Sequence, residues 1–461
     1  MINLLCFCAL LILLIGQSCK KFVEVDSSPV QILSTDVFSS DQSAQSALLG
    51  LYTQMTSLNL SFANGGSTVY PGLAADELYN TAPSSVYDPF ASNALLPTTS
   101  AVNSAFWLTA YRSIYHANSL IEGASRSNSL SEGMRNQVTG EALLVRAFSH
   151  FYLTNLFGDV PLITSTDYKV NAAVGRTDRR KVYDQVIVDA IKAQEYLPDA
   201  YATGGRARPN RSAAAAFLAR VYLYTENWEE AEKLASSVID RPEYALSADL
   251  NSVFTPASKE AIWQLMRDNN NTAEAVVQIP STATARPTIA IRPSLVTVFE
   301  PFDKRKTAWM GVAVSAGQTY YYAAKYKMRT SAPATENLMV LRLGEQYLLR
   351  AEARAQQNKI TGAFEDLNKV RNRAGLPSIF PSSKELLLAE IEKERQRELF
   401  AEWGHRWFDL KRTGRAIEEI NSAVDENGNP LGYNLTEEKL IWPIPQSERD
   451  KNTKLTQNSG Y

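Results

Sequence analysis

One spacing of small and aliphatic residues occurs twice in the chain and restricts its fold more than any other feature. Residues 210–240 and 346–374 each hold four such residues at intervals of 12, 4 and 3. The two sets are Ala219, Ala231, Ala235 and Val238, and Ala351, Ala363, Leu367 and Val370. Asn227 and Asn358 lie at nearly the same place, in the turn between the two predicted helices of each segment. Small residues so spaced let two antiparallel helices approach closely, so we predict at least two helical hairpins.

These two segments resemble tetratricopeptide repeats, in which stacked hairpins bury a continuous core. Tyr222 lies at the aromatic position three residues after Ala219, and Tyr347 stands where the pattern usually has an early tryptophan. Arg350 and Arg354 depart from the pattern, so the second copy is degenerate. Helical spacing of apolar residues also occurs in four further segments, 36–57, 105–124, 135–157 and 182–197. The prediction is a mostly α fold built on a tetratricopeptide-like scaffold.

Two long segments interrupt this helical pattern, at about 59–104 and 241–335. Ser, Thr, Asn, Gly and Pro dominate the first, and the second contains one strand-like run at 261–265. Long stretches without periodicity are usually functional loops or disordered segments, and the aromatic residues scattered through them favour functional loops. We predict one large domain, residues 36–461, in which these segments are irregular insertions.

The N-terminus resembles a bacterial lipoprotein signal. Residues 1–18 form a short apolar run that ends in small or polar residues, and Cys19 follows directly. The run is too short for a typical membrane-spanning helix, so we interpret 1–18 as a signal peptide and Cys19 as the lipidated first residue of the mature chain. Residues 20–35 would then form an extended tether. Ordinary signal cleavage near Cys19 is the alternative.

Cysteine usage and charge exclude several classes of protein. Cys6 and Cys8 would leave with the signal and Cys19 would carry lipid, so the mature chain would have no thiol for a disulfide or a metal site. Lys+Arg 47 against Asp+Glu 49 gives a net charge of −2, which provides no field that recruits nucleic acid. The three histidines form no HxxxH or HxH pattern. We therefore predict no metal and no other cofactor.

The sequence proposes no enzymatic constellation. No GxGxxG, GxxxxGK[ST] or GxSxG occurs where a strand leads into a helix. A glycosidase needs two carboxyl groups about 5–9.5 Å apart. Asp76 and Glu77 are adjacent and make a poor pair, because neighbouring side chains usually diverge. We predict that the protein is not an enzyme.

The stretch 390–414, EIEKERQRELFAEWGHRWFDLKRTG, combines a dense row of charges with large rings. Its glutamates recur every four residues, at Glu390, Glu394, Glu398 and Glu402. Like charges in such a row repel, so we expect partners from neighbouring elements, such as arginines or backbone donors. His405 lies near Glu402 and Asp409, which allows a catalytic interpretation. A buried junction of ion pairs and packed rings accounts for the same residues, and we favour it.

Five motifs in this chain, in this order, resemble the SusD/RagB family of outer-membrane lipoproteins. They are residues 19–26 (CKKFVEVD), 141–161 (EALLVRAFSHFYLTNLFGDVP), 342–376 (ending in RNRAGLP), 390–414 and 442–461 (WPIPQSERDKNTKLTQNSGY). The resemblance covers nearly the whole mature chain. Ser459 departs from it, because the closing motif of the family usually has proline there.

The resemblance implies a surface-exposed, lipid-anchored binding protein of the outer membrane, whose irregular half carries the ligand site. It also implies a partner, a SusC-type TonB-dependent transporter, over which the protein acts as a lid that captures oligosaccharides for import. Peptides are the alternative ligands. A tetratricopeptide-type assembly scaffold without a small ligand and a polysaccharide hydrolase are the other functions considered.

The candidate ligand contacts are aromatic and polar residues of the irregular half. The CH face of a sugar packs against an aromatic ring, while its hydroxyl groups need acceptors and amides nearby. Residues with this character are Tyr70, Asp76, Tyr79, Tyr87, Trp107, Asn269, Asn270, Trp309, Tyr320 and Tyr321. For any one of these residues, packing beneath a long loop is the alternative.

Overall fold

The computed structural model of the protein describes residues 34–267, 270–330, 334–424 and 430–461. The predicted signal peptide, Cys19 and the candidate contact Asn269 lie outside these ranges. So does the predicted tether, except for its last two residues, which begin the first helix. Within the described ranges, no helix is both long enough and apolar enough to cross a membrane.

Helices account for most of the ordered elements, as predicted. The first half of the chain contains α1 Ser34–Val37, α2 Asp41–Thr56, α3 Ser67–Ala74, α4 Asp88–Ala91, α5 Leu108–Arg126, α6 Glu132–Phe157, α7 Tyr168–Asn171, α8 Arg179–Tyr196, α9 Arg211–Tyr224 and α10 Trp228–Ile239. The second half contains α11 Ala273–Gln278, α12 Pro293–Val298, α13 Lys304–Trp309, α14 Leu343–Gln356, α15 Ile360–Arg373, α16 Lys384–Leu399, α17 His405–Arg412, α18 Ala416–Asn421 and α19 Gln446–Lys451. Short π-type or 3-10 turns occur at Phe62–Gly66, Val102–Trp107, Leu250–Ser252 and Glu437–Leu440.

The four helices predicted from periodicity correspond to α2, α5, α6 and α8, and side chains cap the N-termini of α2, α6 and α8. The α6 helix begins at Glu132, before the periodic pattern does, because the Ser131 hydroxyl accepts a hydrogen bond from the Met134 N–H at 3.2 Å. Every α6 residue from Gly140 to Phe157 is buried. A helix enclosed on all sides in this way runs through the centre of the core.

The two predicted repeat hairpins are α9–α10 and α14–α15, and all eight residues of the repeated spacing have no exposed surface. Arg350 and Arg354, which depart from the repeat pattern, form ion pairs with Asp366 of the facing helix at 2.7 and 2.9 Å. The two turn asparagines have different roles. Asn358 adopts a left-handed φ of 62°, whereas Asn227 caps the N-terminus of α10.

In the described parts of the chain, six short strands form two antiparallel sheets, and only the strand at 261–265 was predicted from the sequence. The strands are β1 Leu78–Asn80, β2 Ala261–Leu265, β3 Ile289–Ile291, β4 Met310–Ser315, β5 Gln318–Ala323 and β6 Leu338–Arg342. One sheet has the order β1-β3-β5-β4, and β2 pairs with β6 in the other. The four-stranded sheet therefore joins the first irregular segment, which supplies β1, to the second, which supplies its other strands.

Candidate functional site

The stretch 390–414 lies at a buried junction, and its glutamates have partners from other elements, as predicted. The side chains that meet there, called the central charge network below, are Glu260, Asp303, Arg305, Lys325, Arg342, Arg371, Arg373, Glu394, Glu398 and Glu402. None of these side chains is more than 6% exposed. Glu398 binds Arg342 at 2.5 Å and Arg305 at 3.0 Å. Glu390, the first glutamate of the row, instead forms a surface pair with Lys393.

The charges in this network compensate one another. Burial acts to raise the pKa of the Glu398 carboxyl, but three surrounding guanidinium groups outweigh it and hold that pKa well below its usual range. Burial lowers the pKa of the Lys325 ammonium to about 8, against the opposing effect of the nearby Glu402 carboxylate. The network consists of ion pairs that connect α16 to α13, to α15 and to the end of β6.

The histidines take structural positions. In His150 the Nδ1 atom lies 3.1 Å from the Arg146 carbonyl oxygen, and Nε2 accepts the Ile163 N–H. His405 is buried in the junction, and burial lowers its pKa well below the usual value. Among the described residues, no group of three or more His, Cys, Asp or Glu side chains is arranged to hold a metal ion.

Asp76 and Glu77 diverge, as adjacent side chains were expected to. The Asp76 carboxylate accepts two hydrogen bonds from Arg406, at 2.8 and 2.7 Å, and so forms an ion pair with the junction. Glu77 points into the core, and burial, reinforced by Asp76, raises its pKa to about 8. Ligand contact by Asp76 stays a prediction.

Four of the predicted aromatic contacts are buried and cannot stack on a ligand in this conformation. They are Tyr70, Trp107, Trp309 and Tyr320. The Trp309 indole N–H donates to the Leu250 carbonyl at 2.9 Å, and the Lys325 ammonium lies 4.8 Å from its ring centroid. The irregular half has few long helices to bury apolar surface, so large aromatic rings provide that buried surface instead. These four side chains therefore belong to the core of the irregular half.

Tyr79, Tyr87 and Tyr321 remain partly exposed, and two of them, Tyr79 and Tyr321, lie in strands of the four-stranded sheet. Tyr79 pairs with Ala290 across β1 and β3, while Tyr321 pairs with Ile291 and Val312 on the opposite face. Because side chains alternate between faces, Tyr322 shares the face of Tyr79. Tyr322 was not among the predicted contacts, although it directly follows Tyr321 in an aromatic run.

Tyr87 lines a cleft of about 290 Å³ beyond the ends of β1 and β3, called the sheet-edge cleft below. Its walls are residues 80–84 and 286–288. The Thr81 N–H donates to the Thr288 carbonyl at 3.1 Å, and Arg286 Nη1 donates to the Thr81 carbonyl at 3.3 Å. These contacts hold the two irregular segments together at the cleft.

Buried aromatic rings pack against the Tyr87 ring. Its centroid lies 6.0 Å from that of buried Tyr70, which in turn lies 4.5 Å from Phe90. Asp88, the next residue, accepts hydrogen bonds from Asn80 Nδ2 at 2.7 Å and from the Ser84 N–H at 2.8 Å. The cleft thus combines a fixed, half-exposed ring with hydroxyl, amide and guanidinium groups.

The remaining predicted residues do not line this cleft. Asn270 is exposed in the segment before α11, and Tyr321 lies on the hairpin of β4 and β5. Sequence reasoning missed Arg286 and Thr288, which stand more than 200 positions from Thr81, so no local pattern connects them to it.

Two family models match most of the chain. Residues 300–461 match the model described as the SusD family, and residues 27–223 match one described as starch-binding associating with outer membrane. The SusD-like protein P2 of Formosa agariphila is 28% identical over 99% of each chain. The starch-binding protein SusD of Bacteroides thetaiotaomicron is 30% identical over a shorter alignment, 33% of this chain and 26% of that protein.

Solved structures share the fold over nearly their whole length. A SusD superfamily protein from Bacteroides vulgatus superposes with a TM-score of 0.80 at 22% identity, covering 91% of this chain and 99% of that one. A structure described as a laminarin binding SusD-like protein has a TM-score of 0.75 at 23% identity, covering 91% and 99%. At sequence identities this low, the similarity shows a shared fold and nothing more.

Proposed function

This chain is a member of the SusD-like family, and from that premise we propose that it is a cell-surface lipoprotein that binds oligosaccharides in the sheet-edge cleft. Relatives and neighbours described as starch-binding and laminarin-binding support a glycan ligand. The observation that carries the proposal is the half-exposed Tyr87 ring, held over Tyr70 and surrounded by polar groups. Small-molecule sites typically combine apolar surface with a few placed polar groups in this way.

Within the cleft, each group has a distinct task. The Tyr87 ring packs against the CH face of a sugar unit. Arg286 donates hydrogen bonds, the Ser84 hydroxyl donates or accepts them, and the Asn80 amide fixes the carboxylate of Asp88, which orients the loop. Tyr79 and Tyr322 lie on one face of the adjoining sheet and would extend the contact surface to further sugar units.

The test is calorimetric titration of purified protein with starch and laminarin oligosaccharides. We expect Tyr87→Ala to weaken binding at least tenfold, which corresponds to about 1.4 kcal/mol. Tyr168→Ala removes a tyrosine that is 73% exposed and remote from the cleft, and it should bind like wild type. Equal affinities for wild type and Tyr87→Ala would remove the cleft from the proposal. Peptides in the same titrations examine the alternative ligand class.

We further propose that the protein delivers its ligand to a SusC-type TonB-dependent transporter, on which it sits as a lid. The family description that mentions the outer membrane supports this place. A groove of about 750 Å³ lies between the repeat hairpins and α16 and includes Trp228, Glu226 and Leu388. Concave repeat surfaces of this kind commonly take protein segments, so we assign it to the transporter. Co-purification of wild type, but not of Trp228→Ala, with the transporter is the expected result.

The last part of the proposal is that the protein binds its glycan without hydrolysing it. The ionised groups of the central charge network are sealed from solvent and committed to one another, so they do not offer a general acid and base to a bound glycan. Purified protein should therefore release no reducing ends from a glycan panel. Product formation would establish the hydrolase alternative instead.

A further inference from the structure

A second polar cavity, of about 410 Å³, lies where the end of α6, the start of α8, α17 and the C-terminal segment meet. It is remote in sequence from the sheet-edge cleft and shares no lining residue with it. Four cationic side chains line it, and three of them are Arg176, Arg179 and Lys411. None of the three has an ion pair with a carboxylate among the described residues, although most arginines of this protein do.

Lys411 brings an ammonium group to the floor of this cavity. Its Nζ donates to the Asn155 carbonyl oxygen at 2.6 Å, which leaves two further N–H bonds for other acceptors. The rings of Trp407 and Phe408 lie 5.4 and 5.8 Å away. An ammonium held by one neutral acceptor and two ring faces still lacks a formal counter-charge.

The two arginines are also held by neutral groups. Arg176 donates from Nε to the Asp159 carbonyl at 2.8 Å and from Nη1 to oxygens of Thr456 and Gln457, and this fixes its position. Arg179 donates from Nη2 to the Asn155 side-chain oxygen at 3.3 Å. Its Nε and Nη1 groups have no hydrogen bond to a described residue, and its exposed side chain can turn toward the cavity.

The acidic groups at the cavity do not cancel this charge. The Asp159 carboxylate accepts the Arg179 backbone N–H at 2.9 Å, at the N-terminus of α8. Glu437 is exposed at the rim. Arg412, the fourth cation of the lining, is neutralised by Asp409 and Glu352. Three unpaired cations against two carboxylates leave an excess of positive charge.

We propose that this cavity is an oxyanion-binding site, in which Lys411 and Arg179 donate to a sulfate or carboxylate group and Arg176 contributes charge. Guanidinium and ammonium donors bind such groups through short, charge-assisted hydrogen bonds. In the absence of an anion, burial, together with the charge of Arg179, lowers the pKa of Lys411 well below its usual value. A bound anion would reverse that shift and stabilise the charged amine. The site stands independently of the proposed glycan cleft.

Thermal unfolding and calorimetry of the purified protein test this site. Sodium sulfate and sodium glucuronate are compared with sodium chloride at constant ionic strength, and glucose serves as a neutral sugar. We expect a saturable rise in melting temperature and measurable heat with sulfate, glucuronate or both, and neither with chloride or glucose. A response to sulfate alone indicates a free or esterified sulfate group, and a response to glucuronate alone indicates an acidic sugar.

Variants separate binding from general charge effects. Arg179→Gln and Lys411→Met should each weaken the anion response at least tenfold. Arg180→Gln is the matched control, because Arg180 is the next residue of the same helix, has a side chain that is 93% exposed and lies outside the cavity. If Lys411→Met does not fold, the exposed Arg179 decides the result. An anion response that is absent in wild type, or equal in Arg179→Gln and Arg180→Gln, overturns the proposal.

Discussion

At the scale of single residues, burial decides what an aromatic side chain does in this protein. Trp309 and Tyr87 both come from irregular segments rich in polar residues, and both fit the composition of a sugar-binding surface. Trp309 is completely buried beside Lys325, whereas Tyr87 retains an exposed face. Their sequence neighbourhoods do not distinguish them, because the residues that cover Trp309 come from distant parts of the chain.

The junction provides the first residue-scale prediction. Trp407 is fully buried in α17, so Trp407→Ala should lower the free energy of unfolding by about 3–5 kcal/mol through lost contacts and the cavity left behind. Chemical denaturation measures this loss. Trp228→Ala, at a half-buried tryptophan, should cost less. A Trp407→Ala variant that unfolds like wild type but no longer binds glycan would show that the junction and the loops have been assigned in reverse.

At the scale of elements, helices and repeats could be predicted from sequence, whereas the four-stranded sheet could not. The repeat hairpins share one spacing of small and aliphatic residues, and α6 is a helix of 26 residues. The sheet consists of strands of three to six residues, and Leu78 finds its partner Ile291 across more than 200 positions. Such short strands carry little periodicity, so the sheet-edge cleft that depends on them could not be placed from the sequence.

The β4–β5 hairpin supplies a prediction about close packing. A Cβ atom on Gly311 would stand 2.1 Å from the ring of Tyr322, its cross-strand partner. Gly311→Val should therefore displace the Tyr322 ring and destabilise the protein by about 1–3 kcal/mol, as measured by chemical denaturation. Gly133→Ala is the control, since nothing lies within 4 Å of its added methyl group. Equal stabilities of the two variants would contradict the observed packing.

The contact between α11 and the turn before α3 makes stability depend on pH. Burial raises the pKa of Glu274 to about 8, and the nearby carboxylates of Glu402 and Glu336 add to the rise. Between about pH 4.5 and 8 the unfolded chain is ionised at this position while the folded chain keeps the proton, so stability falls as pH rises through this window. Below it, the opposite trend of groups such as Glu398 takes over.

Denaturation of Glu274→Gln at pH 5 and pH 8 tests this dependence. Glutamine resembles the protonated carboxyl and does not titrate, so the variant should gain stability relative to wild type as pH rises from 5 to 8. Glu385→Gln, on the exposed start of α16, provides a control without burial. A difference between Glu274→Gln and wild type that is the same at both pH values would exclude the proposed proton uptake.

At the scale of the whole molecule, the fold combines an irregular half with a repeat scaffold. The sheet-edge cleft is formed by the two irregular segments, whereas the repeat hairpins and α16 form a separate groove. A small core among α14, α15 and α16 is distinct from the main core, with Leu348, Leu367 and Ile391 among its members. The central charge network connects the two halves through α16. The order of the sequence motifs indicated this architecture. The position of the cleft, in contrast, is visible only in the folded chain.

The predicted lipid anchor belongs to the same scale. Cys19→Ser should release the protein from the membrane fraction, because several acyl chains on one residue are needed for stable attachment and the variant would carry none. Fractionation of cells that express wild type or Cys19→Ser, followed by immunoblotting, measures the effect. Retention of the variant in the membrane fraction, without the transporter present, would contradict anchoring through Cys19.

A crystal structure of the protein with a bound starch or laminarin oligosaccharide would test whether glycan binds in the sheet-edge cleft. We expect a sugar unit with its CH face against the Tyr87 ring and its hydroxyl groups within hydrogen-bonding distance of Arg286 or Ser84. Further units would approach the face that carries Tyr79 and Tyr322. An oligosaccharide seated in the repeat groove beside Trp228, with the cleft empty, would contradict the claim.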